Sequence, residues 1–461
     1  MSTPPLWKHQ EDAVDFAMQR TATLWHMGLG TGKSRCAIEF KRRIQAKATL
    51  ILCPLSVCEA WREQHQQFSP ESEVIVLNKG SVAKKLKAAQ AAAQRARQMC
   101  KALVVVVNYE SARNAPLSPW LEEREFDLLV LDESHRIKSP KGKTSTWVAK
   151  LAKRCKRRVA LTGTVLPHSP LDIWAQARAL TLASRDAFGP SFFRFRRKYA
   201  KLGGWGGKQV VGFQHLDDLR HRMSHWTFQV DRSVLDLPAA MHERRTIDLS
   251  TKAMKLYREL DAMFCAQVKG GEITASNALV KLLRLQQLTG GTAVVEDADG
   301  TSTAHRIDTA KEDALADLLT DIDQGEPVVV FAKFRGDLQS VHNAAQRVGR
   351  QSLELSGTRR ELEEWQRGDA PILAVQLQSG GTGVDLTKCG GRPCSITCYL
   401  STGFSLGDYE QSLARVHRPG QTRSVVYYHF VARDTVDERV YGALRSRKNI
   451  VEAVLDGIYT N

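Results

Sequence analysis

The stretch DLLVLDESH, residues 127–135, runs from four apolar residues straight into two adjacent acids. Leu128, Leu129, Val130 and Leu131 show no polar alternation, which predicts a strand buried on both faces. Such a strand ending in Asp132 and Glu133 brings two carboxylates to one place. One can hold Mg2+ and the other can orient a water against a γ-phosphate, as nucleotide hydrolysis requires. An acidic pair after an apolar strand is also a common exposed turn, so the reading depends on the rest of the chain.

The same continuous apolar pattern recurs. TLILC (49–53), LVVVV (103–107) and RRVALT (157–162) predict strands beside DLLVL, and PVVVF (327–331), PILAV (371–375), SITCYL (395–400) and VVYYHFV (425–431) make a second series. Amphipathic segments separate them, so the fold class is α/β, with two parallel sheets covered by helices on both faces. Residues 1–183 read as the first domain and 311–461 as the second. Residues 184–310 read as an insertion and connector, with the basic segment RFRRKYAKLGGWGGK and the helical stretches TKAMKLYRELDAMF and ALVKLLRLQQL. Trp205 in that segment is either a wedge or stacking contact or the tip of a glycine-rich turn. The Ala- and Lys/Arg-rich stretch 82–101 predicts one surface helix, either a solvated basic face or a DNA contact.

The chain has 461 residues, with 66 Lys+Arg against 50 Asp+Glu, a formal charge of +16. That excess favours a polyanionic partner, nucleic acid or an acidic membrane surface, because each neutralised phosphate releases counterions. No apolar run approaches the roughly 18 residues of a spanning helix, and MSTPPLWKHQ lacks a signal peptide's hydrophobic stretch, so a soluble intracellular protein is expected. Nine cysteines, several in apolar strands, suit reduced thiols. Cys389, Cys394 and Cys398 lack a CxxC pair and a fourth ligand, which argues against zinc.

GLGTGKS (28–34) lies between ATLWHM and the helix-like SRCAIEFKRRI. Gly30, Thr31 and Gly32 would let backbone N–H groups turn in around phosphates, Lys33 would reach the β/γ oxygens, and the Ser34 hydroxyl would ligate Mg2+. Met27 stands where the strict GxxxxGK[ST] pattern has its first glycine. Upstream, Gln10 is either an exposed helix-start residue or an amide that pairs with an adenine edge. Far downstream, Gln411, Arg415 and Arg418 fall at spacings that put them on one side of a helix, as cationic fingers for a γ-phosphate.

Together these segments resemble helicase superfamily two, and specifically the Swi/Snf (sucrose-non-fermenting) family of double-stranded DNA translocases. The resemblance runs in order through LWKHQ, GLGTGKS, CPLSVCEAW (53–61), VVNYE (106–110), LDESHRIKS (131–139), ALTGTVLPHSPLDIWAQARAL (160–180), VVVFAKF (328–334), LQSGGTGVDLT (377–387) and QSLARVHRPGQ (411–421). Ser134 and His135 separate it from the DEAD-type RNA helicases. PLDIWAQARAL, FFRFRRKYA and the GGWGG segment look most like the annealing-helicase, fork-remodelling branch.

The resemblance implies two RecA-like lobes with an inserted helical, basic connector. Lys33 and Ser34 would bind the phosphates and Mg2+, Asp132 would hold Mg2+, and Glu133 would activate the water. Thr162, Gly163 and Thr164 would couple nucleotide state to DNA. Gly383 and Asp385 would add nucleotide contacts, and Arg415 and Arg418 would reach across the cleft. Ser56, Asn108, Tyr109, Ser379 and Gly380 would face the sugar-phosphate backbone, which suits tracking without sequence readout. The chain departs from the family at Asp385, where Asn is usual, and at Pro419, where Ile is usual. The family's basic Arg-Arg-x-Lys-x-Asp-Val segment is also missing before Leu237 and Pro238.

The expectation is an ATP- and Mg2+-using double-stranded DNA translocase, active on duplex and forked DNA. It would be a monomeric motor with no membrane association, in the cytoplasm of a bacterial or virus-infected cell. The alternatives are a strand-separating DNA or RNA helicase and a non-hydrolysing DNA-binding scaffold.

Overall fold

The structure, a computed structural model, describes residues 4–180, 188–204, 207, 209–269, 275–296, 302–377 and 384–455. The chain divides into two units, Met1–Leu235 with Arg447–Asn461, and Asp236–Ser446. The expected connector, 184–310, is therefore split between them.

The first unit is built on β1 (Ala22–Met27), β2 (Ala48–Cys53), β3 (Glu73–Leu77), β4 (Leu103–Asn108), β5 (Phe126–Asp132) and β6 (Cys155–Thr162). A two-stranded hairpin, β7 (Ala200–Gly203) and β8 (Gln209–Phe213), precedes the last strand, β9 (Thr227–Val230). The seven sheet strands run in the order β3-β4-β2-β5-β6-β1-β9, and every pairing is parallel. Successive side chains of a strand point to opposite faces, so a sheet covered on both sides needs apolar residues at every position. Leu50, Leu52, Val105, Val107, Leu129 and Leu131 fill one core. Ile51, Val104, Val106, Leu128 and Val130 fill the other. The helices Lys33–Arg43 and Cys58–Phe68 cover the second face with Ala37, Phe40 and Trp61. The helix Val82–Gln98 lies on the first, with Ala89, Ala92 and Ala96 buried.

The second unit contains β10 (Ala240–Ile247), the hairpin β11 (Thr292–Glu296) and β12 (Ser302–Arg306), and then β13 (Val328–Ala332), β14 (Ser352–Leu355) and β15 (Ile372–Gln376). The short pair β16 (Lys388–Cys389) and β17 (Arg392–Pro393) leads to β18 (Ile396–Tyr399) and β19 (Val425–Ala432). Its six-stranded sheet has the order β10-β19-β18-β13-β15-β14, again all parallel. Both units are therefore α/β, each on a parallel sheet, as expected.

The strands that divide the expected connector are β9, which pairs with β1, and β10, which pairs with β19 over its full length. Both lie at sheet edges. β10 reads AMHERRTI and is largely exposed, so no apolar run announces it. Among the described residues, no helix is long and apolar enough to cross a membrane.

A buried ion pair organises the second unit. Lys311 Nζ lies 2.6 Å from Asp437 Oδ2 and donates to the Leu400 carbonyl at 2.8 Å. Asp437 also accepts from the Thr289 hydroxyl and the Ala432 N–H. One carboxylate thus ties the helices Ala275–Thr289, Ala310–Asp321 and Val436–Leu455 to the end of β19. Removing one partner of a buried pair strands the other charge. Lys311→Met or Asp437→Asn is expected to destabilise this unit by about 3–5 kcal/mol, read as a lower denaturant midpoint for its unfolding transition.

Candidate nucleotide-hydrolysis site

In the first unit, β5, β6 and β1 are consecutive in the sheet, so Asp132, Thr162 and Met27 end three neighbouring strands on one edge. Strand spacing places the outer two about 10 Å apart. The carboxyl edge of a parallel sheet is where α/β folds bind ligands.

β1 ends at Met27, which is buried in the core. The position that departs from the glycine pattern is therefore a strand end rather than part of the loop. Gly30 and Gly32 then adopt left-handed backbone angles, φ 90° and 88°. The Gly32 backbone favours glycine, and a Cβ there would lie 2.2 Å from Gln10 Nε2 and displace that amide. Gly32 caps the helix Lys33–Arg43, whose N-terminal N–H groups and dipole suit an anion. The loop is held from within by Thr31 Oγ1, which donates to the Gly28 carbonyl at 2.7 Å. Lys33 Nζ folds back onto the carbonyls of Met27 (2.9 Å) and Gly28 (3.2 Å).

Gln10 is buried, and its amide bridges two chain segments. Oε1 accepts from the Trp7 N–H at 3.1 Å and Nε2 donates to the Thr31 carbonyl at 3.1 Å. His9 Nε2 reaches the same carbonyl at 2.9 Å. Gln10 thus buttresses the phosphate loop. An amide has two N–H donors and two lone pairs on its oxygen, so these two bonds leave capacity for a base edge.

At the end of β5, Asp132 is buried and both its oxygens are oriented. Trp61 Nε1 donates to Oδ2 at 2.9 Å, and the Glu133 N–H donates to Oδ1 at 3.0 Å. Burial, and next the neighbouring Glu133, raise the Asp132 carboxyl to about 6, against the pull of the Trp61 hydrogen bond and of Lys33. A desolvated carboxylate with lone pairs remaining, together with the Ser34 hydroxyl, is an oxygen donor set that fits Mg2+. Glu133 itself has φ 49°, a left-handed conformation uncommon outside glycine, which turns the chain sharply between the two acids.

The next two residues splint this turn to its neighbours. Ser134 is buried, and its hydroxyl donates to Gln176 Oε1 at 2.8 Å; Gln176 Nε2 donates in turn to the Val165 carbonyl at 2.8 Å. His135 Nδ1 lies 3.2 Å from Glu133 Oε2 and 3.3 Å from Thr162 Oγ1. Thr162 Oγ1 donates to the Thr164 carbonyl and accepts from the Thr164 N–H, both at 3.0 Å. Behind them His26, pushed down to about 4 by burial and so neutral, has Nε2 3.2 Å from the Gly163 carbonyl. The motif read as coupling, Thr162–Thr164, is in direct polar contact with the acidic turn.

Of the residues expected to face nucleic acid, Ser56 is exposed in the short helical turn Leu55–Val57 that follows β2. Asn108 is buried, and its Nδ2 donates to Glu110 at 2.9 Å. Tyr109 is also buried, and its hydroxyl donates to the Asp132 carbonyl at 2.8 Å, so here it props the acidic turn rather than meeting solvent. Ser379, Gly380, Gly383 and Trp205 lie outside the described residues.

In the second unit Gln411 and Arg415 are buried on the helix Leu406–Val416. Arg418 lies beyond that helix, which corrects the expectation of one shared helical face. Pro419 disfavours the helical conformation for the residue before it, and Gly420 (φ 101°) completes the turn. The two guanidiniums converge nevertheless, each donating a long 3.5 Å hydrogen bond to the Val384 carbonyl. Asp385 Oδ1 accepts from the Thr387 N–H and hydroxyl at 2.9 and 2.7 Å, an acceptor role that the family's usual Asn would also fill.

The sequence profile of the SNF2-related domain matches residues 9–290, well over half of the chain. The chain belongs to the SNF2-related family. It is 26% identical to protein p41 of Acyrthosiphon pisum secondary endosymbiont phage 1, over 95% of both chains. It is 22% identical to an uncharacterized ATP-dependent helicase of Mycoplasma genitalium and 23% identical to the human DNA annealing helicase and endonuclease ZRANB3. It spans about two-fifths of those two proteins, 37% and 40%, while they cover 88% and 97% of it. A solved SWI2/SNF2 ATPase core from Sulfolobus solfataricus, in complex with dsDNA, aligns over 98% of this chain and 93% of its own at 18% identity, with a TM-score of 0.43.

Trp61 and Gln176 support the acidic turn without any signal of their own in the sequence. Each sits inside a motif segment, CPLSVCEAW or PLDIWAQARAL, but only the fold shows that it touches the acidic turn. Trp61→Phe keeps the packing and removes one donor that favours ionised Asp132. The Asp132 pKa should then rise further, moving the acid limb of the ATPase pH–rate profile to higher pH and lowering kcat near neutrality by about 10–100-fold. An unshifted limb would show that Trp61 only packs.

Proposed function

We propose that the protein is an ATP-driven motor that translocates on double-stranded DNA, with ATP hydrolysis stimulated by the duplex. The observation that carries this reading is the convergence on one sheet edge of a glycine-cradled lysine and an oriented buried carboxylate, with a second acid wired to the Thr162–Thr164 motif. Membership of the SNF2-related family supports it. So do the relatives, named as an ATP-dependent helicase and a DNA annealing helicase, and the formal charge of +16.

In this reading Lys33 exchanges its loop carbonyls for β/γ-phosphate oxygens, and Gly30, Thr31 and Gly32 line the phosphates with backbone N–H groups. Gln10 holds the loop and offers its remaining amide capacity to the adenine. Ser34 and Asp132 would hold Mg2+, which when bound would neutralise phosphate charge. Glu133 orients the attacking water, and His135 passes the position of that carboxylate to Thr162. In the second unit, Gln411, Arg415 and Arg418 are the candidates for contacts to the γ-phosphate, and Gly383 and Asp385 for further nucleotide contacts. Ser56, Asn108, Ser379 and Gly380 remain candidates for backbone contacts, and Tyr109 would join them only on leaving its place under Asp132. We take the motor to act as a monomer in the cytoplasm of a bacterial or virus-infected cell, which the likeness to a phage protein over 95% of both chains supports.

The test is ATPase activity with duplex DNA, single-stranded DNA and RNA. Duplex DNA should stimulate most, and equal or greater stimulation by RNA would overturn the reading. Glu133→Gln should lower kcat by about 10²–10⁴-fold while leaving ATP and duplex affinity little changed. Arg415→Ala or Arg418→Ala should cost about 10³-fold or more if each acts as a finger. Displacement of a triplex-forming strand without release of the duplex strands separates translocation from unwinding.

A further inference from the structure

The helix Phe192–Tyr199, FFRFRRKY, has two unlike faces. Inward, Phe195 packs against Phe188 and Tyr199 with ring centroids 4.8 Å apart in each pair, and Phe192 meets Trp174 edge-on at 5.5 Å. This aromatic cluster anchors the helix to the first unit. Outward, Phe193, Arg194 and Arg197 face solvent, and Phe193 is 68% exposed.

The chain passes directly from this helix into the β7–β8 hairpin, which continues the same character. Leu202, Val210 and Val211 are exposed, Val211 at 64%. A Cβ on Gly203 would lie 3.1 Å from Val211 Cγ2, so the missing side chain lets that valine lie across the hairpin. A register shift between Lys201 and Leu202 marks a bulge, which adds local twist.

The carboxylates near these apolar groups already have basic partners. Lys198 is paired with Asp218 at 2.7 Å, and Asp218 is also engaged by Arg222. Asp217 faces Arg220 at 3.6 Å. Arg194, Arg197 and Lys201 have no carboxylate partner among the described residues.

We propose that this face is a DNA-binding surface additional to the motor motifs and that it holds forked or branched DNA. Arg194, Arg197 and Lys201 contact phosphates, and Phe193 and Val211 cover base faces left unstacked at the junction. The inference rests on the DNA-motor reading above. A continuous duplex presents phosphates and groove edges and hides its base faces, so it rewards the cations but not the exposed Phe and Val. A junction exposes base faces, against which aromatic and apolar side chains gain contact. An anionic membrane suits the surface less well. A membrane-lying helix needs an apolar stripe free to insert, and here the apolar stripe of the helix is buried in the aromatic cluster.

The experiment uses the full chain, with fluorescence-anisotropy binding and DNA-stimulated ATPase on a fork and a blunt duplex of equal length at matched salt. The double variant Phe193→Ala, Val211→Ser should weaken fork affinity about tenfold and leave duplex affinity nearly unchanged. Arg194→Gln with Arg197→Gln should weaken both substrates and flatten the salt dependence of log K by about 1.8, two phosphate contacts' worth. ATPase without DNA should match the parent protein in both variants, which shows that they fold. Fork binding indifferent to both variants would overturn the proposal, as would variants that lose binding to phosphatidylserine vesicles while keeping fork binding. A parent protein with no DNA stimulation would instead overturn the motor reading itself.

Discussion

A buried carboxylate at a strand end is the constraint on which the first unit is arranged. Taking Asp132 out of water disfavours its charge, so its surroundings must supply what water would have given. The Trp61 indole and the Glu133 N–H do so. Trp61 comes from the helix after β2, and β2 is the neighbour of β5 in the sheet. Tyr109, from the end of β4, holds the Asp132 carbonyl. Three successive strands of the parallel sheet therefore converge on one acid.

From that acid the polar wiring runs sideways. Ser134 and Gln176 tie the turn to the segment after β6, while His135 sits between Glu133 and Thr162. The groups in these links are largely buried, with His135 Nδ1 3.2 Å from Glu133 Oε2 and 3.3 Å from Thr162 Oγ1. On the other side of β6, the lysine of the phosphate loop rests on the Met27 and Gly28 carbonyls, the second of which also accepts from the Thr31 hydroxyl. The second unit uses related means. Tyr399 and Tyr427, on β18 and β19, hold the helix Leu406–Val416 from beneath through Ser412 and the Leu413 carbonyl. The helix that carries Gln411 and Arg415 is thereby fixed to its sheet.

Much of this was legible in the residues themselves. The eight apolar runs all became strands, because a parallel sheet buried on both faces leaves no polar position to interrupt the run. β3, β9, β10 and β14 are not among those runs; all four lie at sheet edges, where a strand has a partner on one side only and tolerates residues such as those in AMHERRTI. The phosphate loop and the acid pair were legible for a different reason: backbone conformation and charge chemistry leave few residue types that can serve there.

The sequence by itself determined the α/β class, the parallel sheets, and the local chemistry of Gly32, Lys33, Asp132 and Glu133, because periodicity and backbone restriction act over a few residues. Only the tertiary structure decided that Trp61, Tyr109 and Gln176 support the acids, that Gln10 buttresses the loop, and that Arg418 stands off its helix beside Arg415. Those relations join residues tens of positions apart through hydrogen bonds that form only once neighbouring strands have been assembled.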